Sequence, residues 1–335
     1  MLKRLMLLIF AFVVGVSSAT AQENKGKLEI VATLFPTYDF AKQIGKDKIN
    51  VSLLLPPGVE SHTFEPKPQD VVRINKADIF IYTGKYMEPW VEDMLKGVSN
   101  NNLIIVDASK GIELVGEEGH DEDPEHHGEE GEYHEEGKDH ENEEHAEHQA
   151  EEPGHQHGGK DPHIWLDLAN DQVMVNTIAQ ALVKKDPANR AFYLNNAKEY
   201  NEKLIDLDKR FKETLSTANH KTIIYGGHFA FGYFAKRYGL EHDSPYDGFS
   251  PNAEPSPKAI ASLIDKLKQS GIKYIYFEEL LDPKVARVIS QETRAKLELL
   301  HGAHNVSKDE LTKGVTFLNI MEDNLKKLKV GLECQ

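Results

Sequence analysis

Residues 28–58 read LEIVATLFPTYDFAKQIGKDKINVSLLLPPG. The aliphatic run over 28–34 predicts a strand. Phe35-Pro36 then opens a helix that carries Phe40, Ala41 and Ile44, since proline is tolerated in a first helical turn. Residues 49–55 predict a second strand, and Pro56-Pro57-Gly58 stops it. Strand, helix and strand at this spacing form the unit from which parallel sheets are built. The rhythm continues outward, with a helix over 68–75, a strand over 79–82 ended by Thr83-Gly84, a helix over 89–98 and a strand over 103–106.

The same alternation returns in the second half. Residues 221–225 predict a strand ended by Gly226-Gly227, and 229–238 a helix. A short strand and a proline-rich loop follow, and Ser256-Pro257 begins the next helix. Strands over 274–277 and 297–300 flank a helix over 283–294, and 317–328 form a closing helix. The halves are alike in order and not in sequence. Between them, residues 168–215 are helical with a break near Asp186-Pro187. The second piece aligns Phe192, Tyr193, Ala197, Tyr200, Leu204, Leu207 and Phe211 on an apolar face about 30 Å long at about 1.5 Å per residue. The expected organisation is an N-terminal α/β lobe over 22–167, a rigid helical connector over 168–218 and a C-terminal α/β lobe over 219–335.

Two segments stand outside this pattern. Residues 1–21 hold Lys3 and Arg4, an apolar stretch over 5–16 and the small-residue site Ala19-Thr20-Ala21, which predicts a cleaved secretory signal. The stretch is too short to span a membrane as a mature helix. The lone cysteine is Cys334, so no lipid-attachment cysteine follows the apolar stretch and no internal disulfide can form. An exported, unlipidated, periplasmic protein stabilised by buried cores is expected. Residues 113–161 are mostly Glu, His, Gly and Asp, with almost no aliphatic content. Such a stretch cannot offset its ordering entropy by burial and predicts a disordered insertion.

The net charge is −16, and residues 117–160 carry all of it, with 18 acidic residues against 2 lysines. The remainder holds 37 acidic and 37 basic residues. The acidity is therefore local, and nothing basic points to nucleic acid. The tract also holds His120, His126, His127, His134, His140, His145, His148, His155 and His157, a composition that suits weak, auxiliary binding of divalent metal.

Seven histidines lie elsewhere: His62, His163, His220, His228, His242, His301 and His304. His62 follows the second strand behind Pro56-Pro57-Gly58. His163 precedes the connector in Asp161-Pro162-His163-Ile164-Trp165-Leu166-Asp167. His228 follows Gly226-Gly227, between a strand and a helix, and His304 follows the last strand. Ligands of open parallel sheets bind beyond the carboxyl ends of strands, and three of these four histidines are expected there. Imidazole suits zinc, and four nitrogens complete a tetrahedron. His220 and His242 lack this setting and are expected on the surface. His301 is ambiguous, three residues from His304.

At these residues the chain resembles the zinc-type substrate-binding proteins of ABC transporters. The resemblance rests on Pro56-Pro57-Gly58 leading to His62 and Glu65-Pro66, on the segment from Asp161 to Asp167, on His228-Phe229-Ala230-Phe231 running to Tyr238-Gly239-Leu240, and on the His- and Asp-rich insertion. It implies two α/β lobes joined by one long helix, with Zn2+ as transported ligand in the cleft and a membrane permease as partner. It places His62, His163 and His228 on three histidine ligand positions. The fourth position is usually acidic or water; here the matching stretch offers His304, with His301 or Glu60 as alternatives. Relatives that handle manganese tend to carry a carboxylate at the third position, so His228 favours zinc.

Other classes fit less well. No His-Glu-x-x-His segment and no Gly-x-Ser-x-Gly elbow is present, and four protein ligands leave no position for a catalytic water. A metal buffer or chaperone working through the tract, and the same receptor loaded with manganese or another divalent metal, are the remaining alternatives. A monomer that captures zinc and delivers it is the expected mode, with affinity falling below about pH 6 as imidazoles protonate.

Overall fold

The computed structural model describes residues 26–116, 159–246, 248 and 254–335. The expected signal segment lies outside these residues, as does the acidic insertion apart from its two ends.

The first lobe is built on four strands: β1 (Leu28–Ala32), β2 (Ile49–Leu53), β3 (Ile79–Tyr82) and β4 (Ile104–Asp107). All pairs are parallel, in the order β2-β1-β3-β4. Side chains alternate across a strand, and both faces of this sheet are covered. Ile30, Ala32, Ile79 and Ile81 turn into the main core. Val31 and Phe80 pack on the other face with Ile74 of α2 (Pro68–Asn75) and Val91 and Met94 of α3 (Val91–Leu95). Double coverage explains why these strands read as continuous apolar runs. Helix α1 (Phe35–Gly45) carries Pro36 in its first turn and buries Phe40, Ala41 and Ile44.

The second lobe repeats the order. Strand β5 (Thr222–Ile224) pairs with β6 (Glu241–Asp243), and β7 (Tyr274–Phe277) pairs with β8 (Lys296–Leu299), both parallel. A parallel bridge from Tyr225 to Tyr276 joins the two pairs, which gives β6-β5-β7-β8. Helices α6 (Gly232–Tyr238), α7 (Pro257–Ser270), α8 (Lys284–Thr293), α9 (Lys308–Lys313) and α10 (Phe317–Gly331) surround these strands. Ser256 caps α7 through Ala259 N–H, with Pro257 in the first turn.

Between the lobes lie α4 (Leu168–Lys185) and the 27-residue α5 (Arg190–Ser216). The expected break falls between them at Asp186-Pro187. Tyr193, Ala197, Tyr200, Leu204, Leu207 and Phe211 of α5 are buried in the same core as α1 and α10, so one apolar core runs through both lobes. Polar ties reinforce it. The Arg237 guanidinium of α6 holds both oxygens of Asp208 on α5, at 2.7 and 2.8 Å, and reaches Asp167 at the start of α4, at 3.0 Å. Asp39 of α1 accepts the first N–H of α10, from Phe317, at 2.9 Å.

Several element ends shift by one to three residues, and three of the differences from the sequence reading bear on the site and its surroundings. The expected helix over 229–238 begins only at Gly232. His228, Phe229, Ala230 and Phe231 are all buried, and four consecutive buried residues do not fit the one-sided face of a surface helix. The helix expected over 89–98 shortens to α3, preceded by turns from Gly84 to Glu88 and Glu88 to Val91. The expected insertion over 113–161 has ordered ends: Gly116 pairs antiparallel with Lys160, and Asp161 N–H donates to Val115 O at 3.0 Å.

Candidate metal centre

Four loops converge where the lobes meet. The loop after β2 carries His62. Its backbone is shaped by Glu60, whose carboxylate accepts the N–H groups of His62 and Thr63, each at 2.9 Å. The segment Asp161–Leu166 is wholly buried and carries His163. The loop after β5 carries His228 behind Gly226 and Gly227. A Cβ at Gly226 would meet the Ala286 Cβ at 2.5 Å, and one at Gly227 would meet Glu278 Oε1 at 2.5 Å. Only glycine lets this loop pass so close to α8 and the strand end. The loop after β8 carries His304. It is held by Asn324 of α10, which bonds His301 N–H and His301 O at 2.9 and 2.8 Å, and by the Trp165 indole N–H, which donates to Gly302 O at 2.7 Å.

The loops of His62 and His304 are also tied directly to each other. The Asn305 side chain donates to Pro56 O and Val59 O at 2.7 and 2.9 Å, and Gly58 N–H donates to Val306 O at 2.9 Å.

His62, His163, His228 and His304 are buried, and one ring nitrogen of each lies within 4.8 Å of the others. All six ring pairs have centroids 5.0 to 5.7 Å apart. The Nε2 atoms of His62 and His163 are 3.2 Å apart. A tetrahedral zinc with imidazole nitrogens at about 2.0–2.1 Å places those nitrogens about 3.3 Å from one another, so this pair already has that spacing. Beside the rings is a cavity of about 20 Å³ reached by Val59, Glu60 and Leu281, room for one water-sized body.

Carboxylates face the outer nitrogens. His163 Nδ1 is 2.8 Å from Asp161 Oδ1, His228 Nδ1 is 2.6 Å from Glu278 Oε2, and His304 Nδ1 is 3.1 Å from Glu279 Oε1. At His163 and His304 a proton on Nδ1 shared with the carboxylate leaves the Nε2 lone pair free for a metal, while Glu278 stands at ion-pair distance from His228 Nδ1 without forming a hydrogen bond to it. Burial drives the Asp161 carboxyl up to about 7, against the pull of the His163 N–H and the charge of His304. Burial acts the same way on Glu279, but the charges of His301 and His304 and the Gly302 N–H outweigh it and hold that carboxyl far below its ordinary range. At His304 burial opposes the imidazolium. Glu279, with Glu60 and Glu278 behind it, outweighs burial and raises the value above that of an ordinary histidine.

The two alternatives for the fourth position lie outside the group of four rings, although Glu60 lines the cavity beside it. Glu60 spends its oxygens on backbone N–H groups, and His301 accepts the Ala303 N–H at Nδ1, at 2.9 Å. His242 is exposed and stacks on Phe229 with centroids 3.8 Å apart. His220 is half-buried, 3.8 Å from Glu333. The nine tract histidines, His120 to His157, lie outside the described residues. Sequence reading missed Asp161, Glu278 and Glu279 as partners of the rings. Glu278-Glu279 directly follows β7, at the carboxyl end of a parallel strand, and that position was the available signal.

The family model for the zinc-uptake complex component A, periplasmic, matches residues 30–331. The high-affinity zinc uptake system protein ZnuA of Bacillus subtilis is 40% identical over 317 residues, covering 94% of this chain and 91% of that protein. The crystal structure of the metal-dependent lipoprotein YcdH from Bacillus subtilis superposes with a TM-score of 0.71 at 39% identity, covering 91% of this chain and 99% of that one. The Zn(II)-bound ZnuA-like domain of Streptococcus pneumoniae AdcA gives a TM-score of 0.71 at 32% identity, over 92% of this chain and all of that domain. With sequence and fold matched from end to end of the two lobes, the chain belongs to the zinc-uptake complex component A family.

Proposed function

We propose that this protein is an extracytoplasmic receptor that captures Zn2+ in the inter-lobe cleft and delivers it to the permease of an ABC transporter. The observation that carries the reading is the buried convergence of four imidazoles from four separate loops. His62, His163, His228 and His304 are the proposed ligands. An all-nitrogen set suits zinc better than manganese or magnesium, which favour carboxylate and carbonyl oxygen. Four protein ligands close the coordination sphere and leave no position for a catalytic water, which argues for carriage over catalysis.

Capture replaces the hydration shell of the ion with neutral imidazoles. Release requires the partner to distort the ligand loops, because the core and α5 run continuously through both lobes. The protein acts as a monomer in the periplasm after loss of residues 1–21, and the acidic tract gathers zinc around the cleft. The structurally similar YcdH of Bacillus subtilis is a lipoprotein, so fractionation of periplasm from membrane tests the location.

The deciding test is calorimetric zinc titration of the protein and of a form lacking residues 117–158, which keeps the paired Gly116 and Lys160. One tight site that survives the deletion and vanishes in the His62→Ala, His228→Ala double variant supports the receptor. Loss of all tight binding with the tract would make the protein a buffer instead.

A further inference from the structure

The carboxylates behind the two second-lobe rings are neighbours in sequence. Glu278 faces His228 and Glu279 faces His304, and both follow directly on β7. The chain turns sharply after them: Leu281 N–H donates to Glu279 O at 2.8 Å across Leu280, whose φ is +64°. A bulky residue in the left-handed region is strained, and such strain persists only where the surroundings over-determine it. Here they do. The Glu279 carboxylate is buried and accepts the Gly302 N–H at 2.7 Å and the His304 N–H at 3.3 Å, besides its contact with the His304 ring. It is fixed from several sides and acts as a stop against which the ring is set.

We propose that Glu278 and Glu279 are positioning residues for zinc. The adjacent pair turns His228 and His304 so that Nε2 of each faces the ion, and the second lobe's half of the site is set as one unit. The inference rests on the receptor reading above and adds to it the groups that set ring direction, by charge at His228 and by a hydrogen bond at His304. Carboxylates so placed also raise the basicity of the ligating nitrogen.

The experiment uses the metal-free protein and its Glu278→Gln and Glu279→Gln variants. Each is titrated with Zn2+ against a competing chelator, and with Co2+ followed by visible d–d absorption. Either substitution is expected to weaken zinc binding about 10- to 100-fold. It should also weaken the intense four-coordinate cobalt bands as water enters the loosened sphere. A merely structural brace would lower the melting temperature and leave the cobalt spectrum of the folded protein unchanged, and that result overturns the proposal. Should Glu279→Gln fail to fold, Glu278→Gln decides alone, because its side chain is less buried. A wild-type protein without a tight zinc site overturns the receptor reading and this inference with it. A tetrahedral wild-type spectrum that both variants retain overturns this inference only.

Discussion

The Nε2 atoms of His62 and His163 lie 3.2 Å apart, although 101 positions separate the two residues. The whole acidic tract lies between them in sequence. Because Gly116 and Lys160 pair at its base, joining the chain across the tract should not pull the ligands apart. Deleting 117–158 is expected to move the melting temperature of the metal-free protein by no more than a degree or two and to spare the tight zinc site. A fall of about 10 °C or more, roughly 3 kcal/mol or more for a chain of this size, would mean that the tract braces the fold.

Single replacement of His62, His163, His228 or His304 by alanine should weaken zinc binding by roughly 100-fold or more. Removing a ligand must cost more than removing a group behind one, itself worth about 10- to 100-fold. His301→Ala should cost far less. Equal losses for His301 and His304, measured by chelator competition, would reopen the choice of fourth ligand.

Zinc binding should release protons at pH 7. The His304 value is raised, by Glu279 against the effect of burial, so its proton persists above the ordinary histidine value of about 6.5. Protonation there stabilises the metal-free fold fully below the unfolded value, and that contribution fades as pH rises through the folded one. Zinc must displace the same proton. Affinity is therefore expected to climb through pH 6.5 and beyond, a higher window than the pH 6 expected from sequence. Protons should leave on zinc binding at pH 7, from His304 and from Asp161, whose carboxyl lies near 7. Calorimetry in buffers of different ionisation enthalpy measures the number, and a value of zero would contradict the assignment.

Gly302 has no room for a side chain. An added Cβ would lie 2.6 Å from His304 Cε1 and 2.7 Å from Nδ1, so the ring would have to swing away from Glu279. Gly302→Ala should lose zinc affinity about 10- to 100-fold while the folded state survives, as judged by circular dichroism. Unchanged affinity would show that His304 can move without consequence.

Asp171 on α4 is a cost to the fold. Neither carboxylate oxygen has a hydrogen-bond partner among the described residues. Burial, then the charge of Asp167, pushes the group well above its ordinary value, with Arg237 offsetting only part. A raised carboxyl keeps a proton that the unfolded chain gives up above about 3.8, so stability falls as pH rises across that window. Asp171→Asn should raise the melting temperature by a few degrees at pH 8, each kcal/mol being worth roughly 2–4 °C. Near pH 4 the variant and the wild type should coincide. A pH-independent difference would rule out ionisation as the cause.

Much of this was legible in the chain because parallel sheets announce themselves. The run 28–34, the Phe35-Pro36 helix start and the strand over 79–82 each carry their own period and stop signals. The four histidines stood out because each sat beside glycine or proline at an element end. The carboxylates did not, because Glu278 and Glu279 become partners of His228 and His304 only through loops 50 and 25 positions away. The segment from Phe229 to Phe231 was misread for a related reason: its burial comes from the other elements packed around it and leaves no local period. The short α9 was missed although Ser307 and Glu310 form its capping box, since six residues carry too little pattern to register.

Because the ligand loops meet only when both lobes are in place, the ion cannot template the early stages of folding. Contacts of such long sequence separation form late, and the scattered histidines of an unfolded chain hold zinc loosely and compete with native binding. The molecule must therefore complete its fold before the four rings can act together on an ion, and tight zinc retention becomes a chemical certificate that the chain has matured correctly.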